Sequence, residues 1–279
     1  MLAAVFAGKL WRLFTFANGD ELFSYIPLMP FVCGYLAWMR RDQIPRQSLP
    51  MPFVGGLFFA GGALVVAGCF LLRRSPAFGT VENLLALTTL SWVLCLTGAG
   101  CWFLGAAAMR ALAFPFCLLL FMVPLPDFAR TAIETALQHG SATVADWMFS
   151  LSMTPVWREG MVLRLPRMSI EVAPECSGIH STWILLITSL VAGHVVLRQP
   201  WKRVVLCLAV IPLALLRNGF RVFVIGELCT HIGPEMINSP IHRRGGPIFF
   251  LLSLIPFFML LYFFGRGGRT GGQPSKSGK

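Results

Sequence analysis

With 279 residues, 56% of them hydrophobic and only 13% charged, and a mean hydropathy of +0.71, the chain carries more apolar surface than a water-soluble fold of its length can hide. The formal net charge of +11 does not point to nucleic acid, because the basic residues fall in short clusters between apolar runs, such as "RRDQIPR" and "RQPWKR", and read as orientation signals facing anionic lipid. A soluble enzyme is thereby excluded, and the expected fold is an all-α integral membrane protein of about seven (six to eight) transmembrane helices with a small extracytoplasmic cap built from an amphipathic helix and a hairpin.

In chain order, residues 1–21 begin with "MLAAVFAGKLWRLFTFA", where Lys9 and Arg12 interrupt the apolar stretch and no small-residue cleavage pattern follows. This reads as a retained interfacial segment rather than a signal peptide. The multi-span domain is expected over 22–265, with spans at roughly 22–39, 53–72, 84–108, 111–125, 178–197, 201–226 and 247–265. The fourth is short and carries Pro115, so it reads as tilted, broken or only partly inserted. Between the fourth and fifth spans lies the longest polar insertion, 126–176. Its first part, "DFARTAIETALQHGSATVADWMFSLSM", has the pattern of an amphipathic helix lying along the membrane surface. Its second, "WREGMVLRLPRMSIEVAPEC", alternates as a short hairpin or extended pair. Residues 266–279 form a flexible basic tail.

The clusters at 40–46 and 198–203 and the tail are richest in Lys and Arg, which assigns them to the cytoplasm and turns the 126–176 insertion and the 227–246 loop outward. Arg73, Arg74, Arg243 and Arg244 then fall on the outer side, against the trend.

Of the eight cysteines, Cys33, Cys69, Cys95, Cys101, Cys117 and Cys207 lie inside apolar runs and read as small buried hydrophobes. Only Cys176 and Cys229 sit at membrane boundaries, and the spacing suggests neither disulfides nor a metal site. In "EVAPECSGIHSTW", Cys176 directly precedes the start of an apolar run, with His180 four residues on. The topology brings His242 to the same membrane face. Arg217 and Arg221, sixteen and twenty residues into a helix that starts near Trp201, reach the outer half of the sixth span. An intramembrane arginine costs about 2.5 to 3.5 kcal/mol and faces the protein interior or a watery cavity. Either the pair snorkels to headgroups or neutralises Glu227 or Glu235, or it serves chemistry at Cys176. In acyl transfer, a thiolate attacks a carbonyl, an imidazolium protonates the leaving amine and a guanidinium holds the oxyanion. Nearby cations and the N-terminus of the helix beginning at Ser177 favour the thiolate.

"EVAPECSGIHSTW", "RNGFRV" and "IHRRGGPIFF", in this order and each at the border of an apolar run, resemble the exosortase and archaeosortase family of integral membrane cysteine peptidases. The likeness spans most of 22–264. The resemblance implies Cys176 as nucleophile, Arg221 (after Asn218) as the arginine of Asn-x-x-Arg, and His242 as the histidine, with Arg217, His180 and Asn218 as auxiliary candidates. Exosortases often carry arginine where His180 stands, and His180 remains a rival to His242 as the base. His139, His194 and His231 accompany no comparable motif.

The family likeness further implies a peptidase or transpeptidase of a bacterial inner membrane, with its active site facing the periplasm. Its substrates would be exported proteins ending in a PEP-CTERM-like motif, an apolar helix and a basic tail, often alongside exopolysaccharide production. The acceptor nucleophile is left open; membrane lipid is the expected environment, and no cofactor, metal or nucleic acid is expected. Two other readings stand beside it: a lipid or polysaccharide transporter in which Arg217 and Arg221 bind phosphate, and a non-catalytic scaffold of an envelope assembly.

Overall fold

In a bilayer an apolar segment has no water to satisfy its peptide groups, so it must bond them within itself, and this chain does so with helices. The computed structural model describes residues 2–45, 48–74, 79–166, 168–174, 177–233, 235–236 and 245–266. It divides after Arg130 into two compact units. Among the described residues six helical segments are long and apolar enough to cross a membrane: Glu21–Met39, Pro52–Leu72, Val81–Phe103, Ile179–Val196, Pro200–His231 and Gly246–Arg266. A pair of short helices bent by 67°, Gly105–Ala111 with Ala113–Met122, makes a seventh if counted as one broken span. The protein is an all-α integral membrane protein.

The first unit contains α1 (Leu2–Gly19), α2 (Met29–Met39), α3 (Pro52–Leu72), α4 (Val81–Phe103), α5 (Gly105–Ala111) and α6 (Ala113–Leu118). Pro52 occupies the first turn of α3, where its missing N–H is no loss, and the Thr80 hydroxyl caps α4 by accepting from the Asn83 amide. Helices α3 and α4 approach at small residues. A Cβ at Gly98 would come within 3.0 Å of the Gly55 carbonyl, and the Ser91 hydroxyl donates across to the Gly62 carbonyl at 2.9 Å. The opposite face of α3 presents Phe53, Leu57, Leu64 and Phe70, all well exposed, which only a lipid environment tolerates in one contiguous strip.

The third expected span, 84–108, is too long: α4 ends at Phe103. Gly105 has φ +76°, and the 48–49 segment packs where its Cβ would stand. The Ala106 amide donates to the Leu49 carbonyl (3.1 Å) and the Ala107 amide to the Ser48 hydroxyl (2.9 Å), so the start of α5 is capped by a distant loop instead of continuing α4. At the far end of this unit the start of α7 (Asp127–Leu151) is tied in by polar side chains. Asp127 accepts from the Thr80 hydroxyl at 2.6 Å, and Arg130 pairs with Glu82 (3.1 Å) and Asp20 (3.5 Å).

The second unit holds the rest of α7, three short strands β1 (Trp157–Glu159), β2 (Val162–Arg164) and β3 (Ser169–Glu171), then α8 (Ile179–Val196), α9 (Pro200–His231) and α10 (Gly246–Arg266). The expected hairpin is a three-stranded antiparallel sheet in the order β1-β2-β3. Pro166 does not end the structure. It falls in a turn closed by the Leu165 amide on the Met168 carbonyl, and the chain reverses into β3. Leu163 pairs with Ile170, and with Leu165 and Val172 they place one sheet face against Ala142, Ala145 and Phe149 of α7 and Val222 of α9. The apolar stripe of α7, read from sequence as a membrane-surface face, is thus used against protein.

Helix α9 is also longer than the expected 201–226. Its 32 residues span about 48 Å at ~1.5 Å each, more than a hydrocarbon core of ~30 Å. Its first half packs with α8 and α10 around Leu185, Leu206, Val210 and Phe257, and its second half packs on α7 and the sheet. Contact in the second half is close: a Cβ on Gly219 would stand 2.5 Å from Val144 Cγ1 and 3.2 Å from the Ala145 amide. A stiff β-branched side chain and a backbone atom cannot both yield. Gly219→Ala is therefore expected to destabilise the protein by about 1–3 kcal/mol, seen as a lower melting temperature in detergent. Gly68→Ala on α3, whose Cβ meets nothing within 4 Å, is expected to be neutral or slightly stabilising.

Candidate functional site

The start of α8 is where the Cys-Ser-Gly segment enters the bundle. Cys176 and His242 themselves lie outside the described residues, as do Glu175, Arg243 and Arg244. The segment leading in is fixed on both sides of that gap. Buried Gln138 of α7 donates to the Val172 carbonyl at 2.8 Å, and the amide of buried Ser177 donates to the Pro174 carbonyl at 3.0 Å. Gly178 then turns the chain with φ +71°, a left-handed conformation that glycine adopts without steric cost, and α8 begins at Ile179.

The Gly178 carbonyl gathers several donors. The Thr182 amide (3.0 Å) and hydroxyl (2.8 Å) and the Ser181 hydroxyl (3.1 Å) come from its own helix, and Arg217 Nη2 comes from α9 at 3.2 Å. Arg217 also donates to the Thr182 hydroxyl at 3.3 Å. Only 8% of Arg217 is accessible, and its Nη1 has no hydrogen-bond partner among the described residues. Among the described residues, the groups at this corner include a buried guanidinium whose Nη1 is unused and a helix N-terminus, both of which favour an anion.

Asn218, the next residue of α9, donates from Nδ2 to the Ser141 hydroxyl of α7 at 2.9 Å, while its Oδ1 faces Gly178. A Cβ at Gly178 would stand 2.8 Å from Arg217 Nη2 and 3.1 Å from Asn218 Oδ1, so α9 approaches this turn as closely as glycine permits. Arg221 follows one turn further along α9, half-buried on the same helix face as Arg217. His180 is half-buried in the first turn of α8. The structure therefore brings Arg217 and Asn218 to the glycine of the Cys-Ser-Gly motif, and puts His180 and Arg221 on the same two helices.

Glu227, a candidate counter-ion for the arginines, is engaged elsewhere. It accepts from the hydroxyls of Thr154 (2.7 Å) and Ser152 (2.9 Å) and pairs with His231 (3.0 Å), tying the end of α9 to the turn before β1. Cys229 is fully buried in α9. The sequence reading missed Gln138, Ser141 and Thr182. Gln138 and Ser141 lie on the stripe of α7 that also carries Leu137, Ala142 and Ala145, and a polar residue inside an apolar stripe was the available signal. Among the described residues no cluster of three or more His, Cys, Asp or Glu side chains is arranged to hold a metal ion.

A family model described as transmembrane exosortase (Exosortase_EpsH) matches residues 11–259, nearly the whole chain. No curated protein and no solved structure gives a significant match.

The contact between Gly178 and Arg217 is testable without any activity. Gly178→Ala is expected to cost about 1–2 kcal/mol from the left-handed backbone alone, with a further loss from displacing the guanidinium. Because Arg217→Ala opens the space a Cβ needs, the double variant is expected to lose less than the sum of the single losses, by at least ~0.5 kcal/mol in thermal or denaturant unfolding. Strict additivity would mean that the two residues do not meet.

Proposed function

Because the chain belongs to the transmembrane exosortase family, we propose that it is a membrane-embedded cysteine peptidase or transpeptidase that cleaves the C-terminal sorting signal of exported proteins. The signal would comprise a short PEP-CTERM-like motif, an apolar helix and a basic tail. The observation that carries the reading is the hydrogen bond from Arg217 to the Gly178 carbonyl. It joins two motifs 39 residues apart, the Cys-Ser-Gly turn and the Arg-Asn-x-x-Arg helix, at one electropositive corner, which is what thiolate chemistry requires.

In this reading the Cys176 thiolate attacks the carbonyl carbon of the scissile peptide, forming a C–S bond, and the carbonyl oxygen becomes an oxyanion stabilised by the Arg221 guanidinium. Collapse breaks the C–N bond as protonated His242 gives its proton to the leaving amine. The thioester is then attacked by water, or by an acceptor amine, whose proton passes to His242 as the C–S bond breaks and the thiolate is restored. Arg217 is a positioning residue: its two hydrogen bonds set the Gly178 turn. A substrate anchored by one apolar helix would present its motif at the membrane boundary, and confinement to the bilayer raises its local concentration. The corresponding location is a bacterial inner membrane with the site on the periplasmic side.

The experiment is processing of a co-expressed substrate, followed by mass. Cys176→Ala is expected to lower the rate by at least about a thousandfold, His242→Ala to fall comparably, and His180→Ala to retain most activity. Processing at the wild-type rate by Cys176→Ala overturns the proposal. A silent Cys176→Ser, combined with loss of function on removing the charges at 217 and 221, would assign the arginines to phosphate binding instead.

A further inference from the structure

At the other end of the same bundle, α8 ends, α9 begins and α10 ends beside one another. The Trp201 and Phe264 rings lie 6.4 Å apart, and a Cβ at Gly265 would touch Val196. Between these ends is a cavity of 520 Å³, unrelated to the Gly178 corner. Its apolar wall includes Val196, Phe258 and Tyr262, each about half exposed. Its polar rim carries Arg198, Lys202 and Arg266.

Lys202 shows how the rim is organised. Its side chain is 8% exposed, and its ammonium donates to the Phe264 carbonyl at 2.9 Å, satisfying one of the last carbonyls of α10. Arg203 likewise donates to the Leu197 carbonyl at 2.9 Å and closes the α8–α9 turn. Arg198 and Arg266 are exposed, with the Arg266 guanidinium resting over the Tyr262 ring at 5.1 Å. The elements that build the cavity offer no carboxylate to these cations, since the sequence has no Asp or Glu between Glu175 and Glu227 or after Glu235. A buried ammonium and two exposed guanidiniums, all positive, therefore surround an opening whose other wall is apolar.

We propose that this cavity binds the phosphate headgroup of an anionic phospholipid, with Arg198 and Arg266 contacting the phosphate, Lys202 adding buried positive charge and an acyl chain lying along Phe258 and Tyr262. Each feature selects one part of such a ligand. The guanidiniums match the paired oxygens of a phosphodiester, and the absence of acidic residues from the surrounding elements leaves charge to be neutralised from outside. The half-exposed apolar wall distinguishes a lipid from a free anion, for which an open hydrophobic flank is a poor fit. A zwitterionic lipid brings its own cation into a site already carrying three.

The test uses the full chain purified in detergent, with bound lipid counted by native mass spectrometry and melting temperature measured alongside. Phosphatidylglycerol is expected to remain bound and to raise the melting temperature, while phosphatidylcholine does neither. Arg198→Gln and Arg266→Gln are each expected to weaken phosphatidylglycerol binding by about fivefold, near the effect of one basic residue at a membrane surface. Because both arginines are exposed, the variants should keep the wild-type melting temperature without lipid. Arg73→Gln, at an exposed arginine remote in sequence, serves as the charge control and should bind as the wild type does. Equal retention of the two lipids, or undiminished phosphatidylglycerol binding by the Arg198→Gln, Arg266→Gln double variant, overturns the proposal. Inorganic phosphate alone reproducing the stabilisation would also overturn it, by showing a free-anion site.

Discussion

The constraint on which the half of this protein carrying the Cys-Ser-Gly and Arg-Asn-x-x-Arg motifs turns is the burial of a cation with no carboxylate as its hydrogen-bonding partner among the described residues. Arg217 is buried midway along α9, and the cost of removing its guanidinium from water is offset by the Gly178 carbonyl and the Thr182 hydroxyl, which receive two of its hydrogen bonds. Those partners belong to the first turn of α8. The arginine therefore cannot be satisfied unless α9 lies against the point where the Cys-Ser-Gly segment becomes helix. The left-handed Gly178 and the absence of a side chain there are the matching requirement on the other helix.

From this contact the remaining polar bonds follow as a set. Asn218, carried beside Arg217, reaches Ser141 and so fixes α7 to α9. Gln138, one turn earlier on α7, holds the Val172 carbonyl and so fixes the exit of β3, from which the chain runs toward the Cys-Ser-Gly turn. The apolar groups between them, Ala142, Ala145, Phe149 and Val222 with the sheet, supply the packing energy, while the polar bonds supply direction. Helix α9 belongs to both environments. Its first half is a membrane helix packed on α8 and α10, and its second half is a core element of the small α/β region. Its basic residues sort accordingly: Lys202 and Arg203 cap backbone carbonyls near its start, and Arg217 crosses to α8 further along.

Much of the architecture was legible because bilayer insertion reads composition. The six long helical segments coincide with apolar runs, and the weak fourth run with Pro115 overlaps the bent pair. The errors share one cause. The end of α4 at Phe103, the extension of α9 to His231 and the third strand after Pro166 are each set by a partner remote in sequence: the Ser48–Leu49 loop, α7 and β2 respectively. The stripe of α7 was visible, but its use against the sheet and α9 was not, because periodicity gives a face and not the surface it meets.

The sequence by itself determined that the chain is a multi-span helical membrane protein. Its motifs also marked out Cys176, Arg217, Asn218, Arg221 and His242, since hydropathy and motif order are local properties that survive without coordinates. The tertiary structure alone decided that Arg217 answers to the Gly178 carbonyl rather than to Glu227, and that Gln138 and Ser141 hold the Val172 carbonyl and Asn218 near the Gly178 turn. It also decided that basic side chains close the opposite end of the bundle around a cavity. The physical reason is that a buried polar atom must find a partner, and which partner is near enough is a matter of how helices pack, which pattern along the chain does not encode.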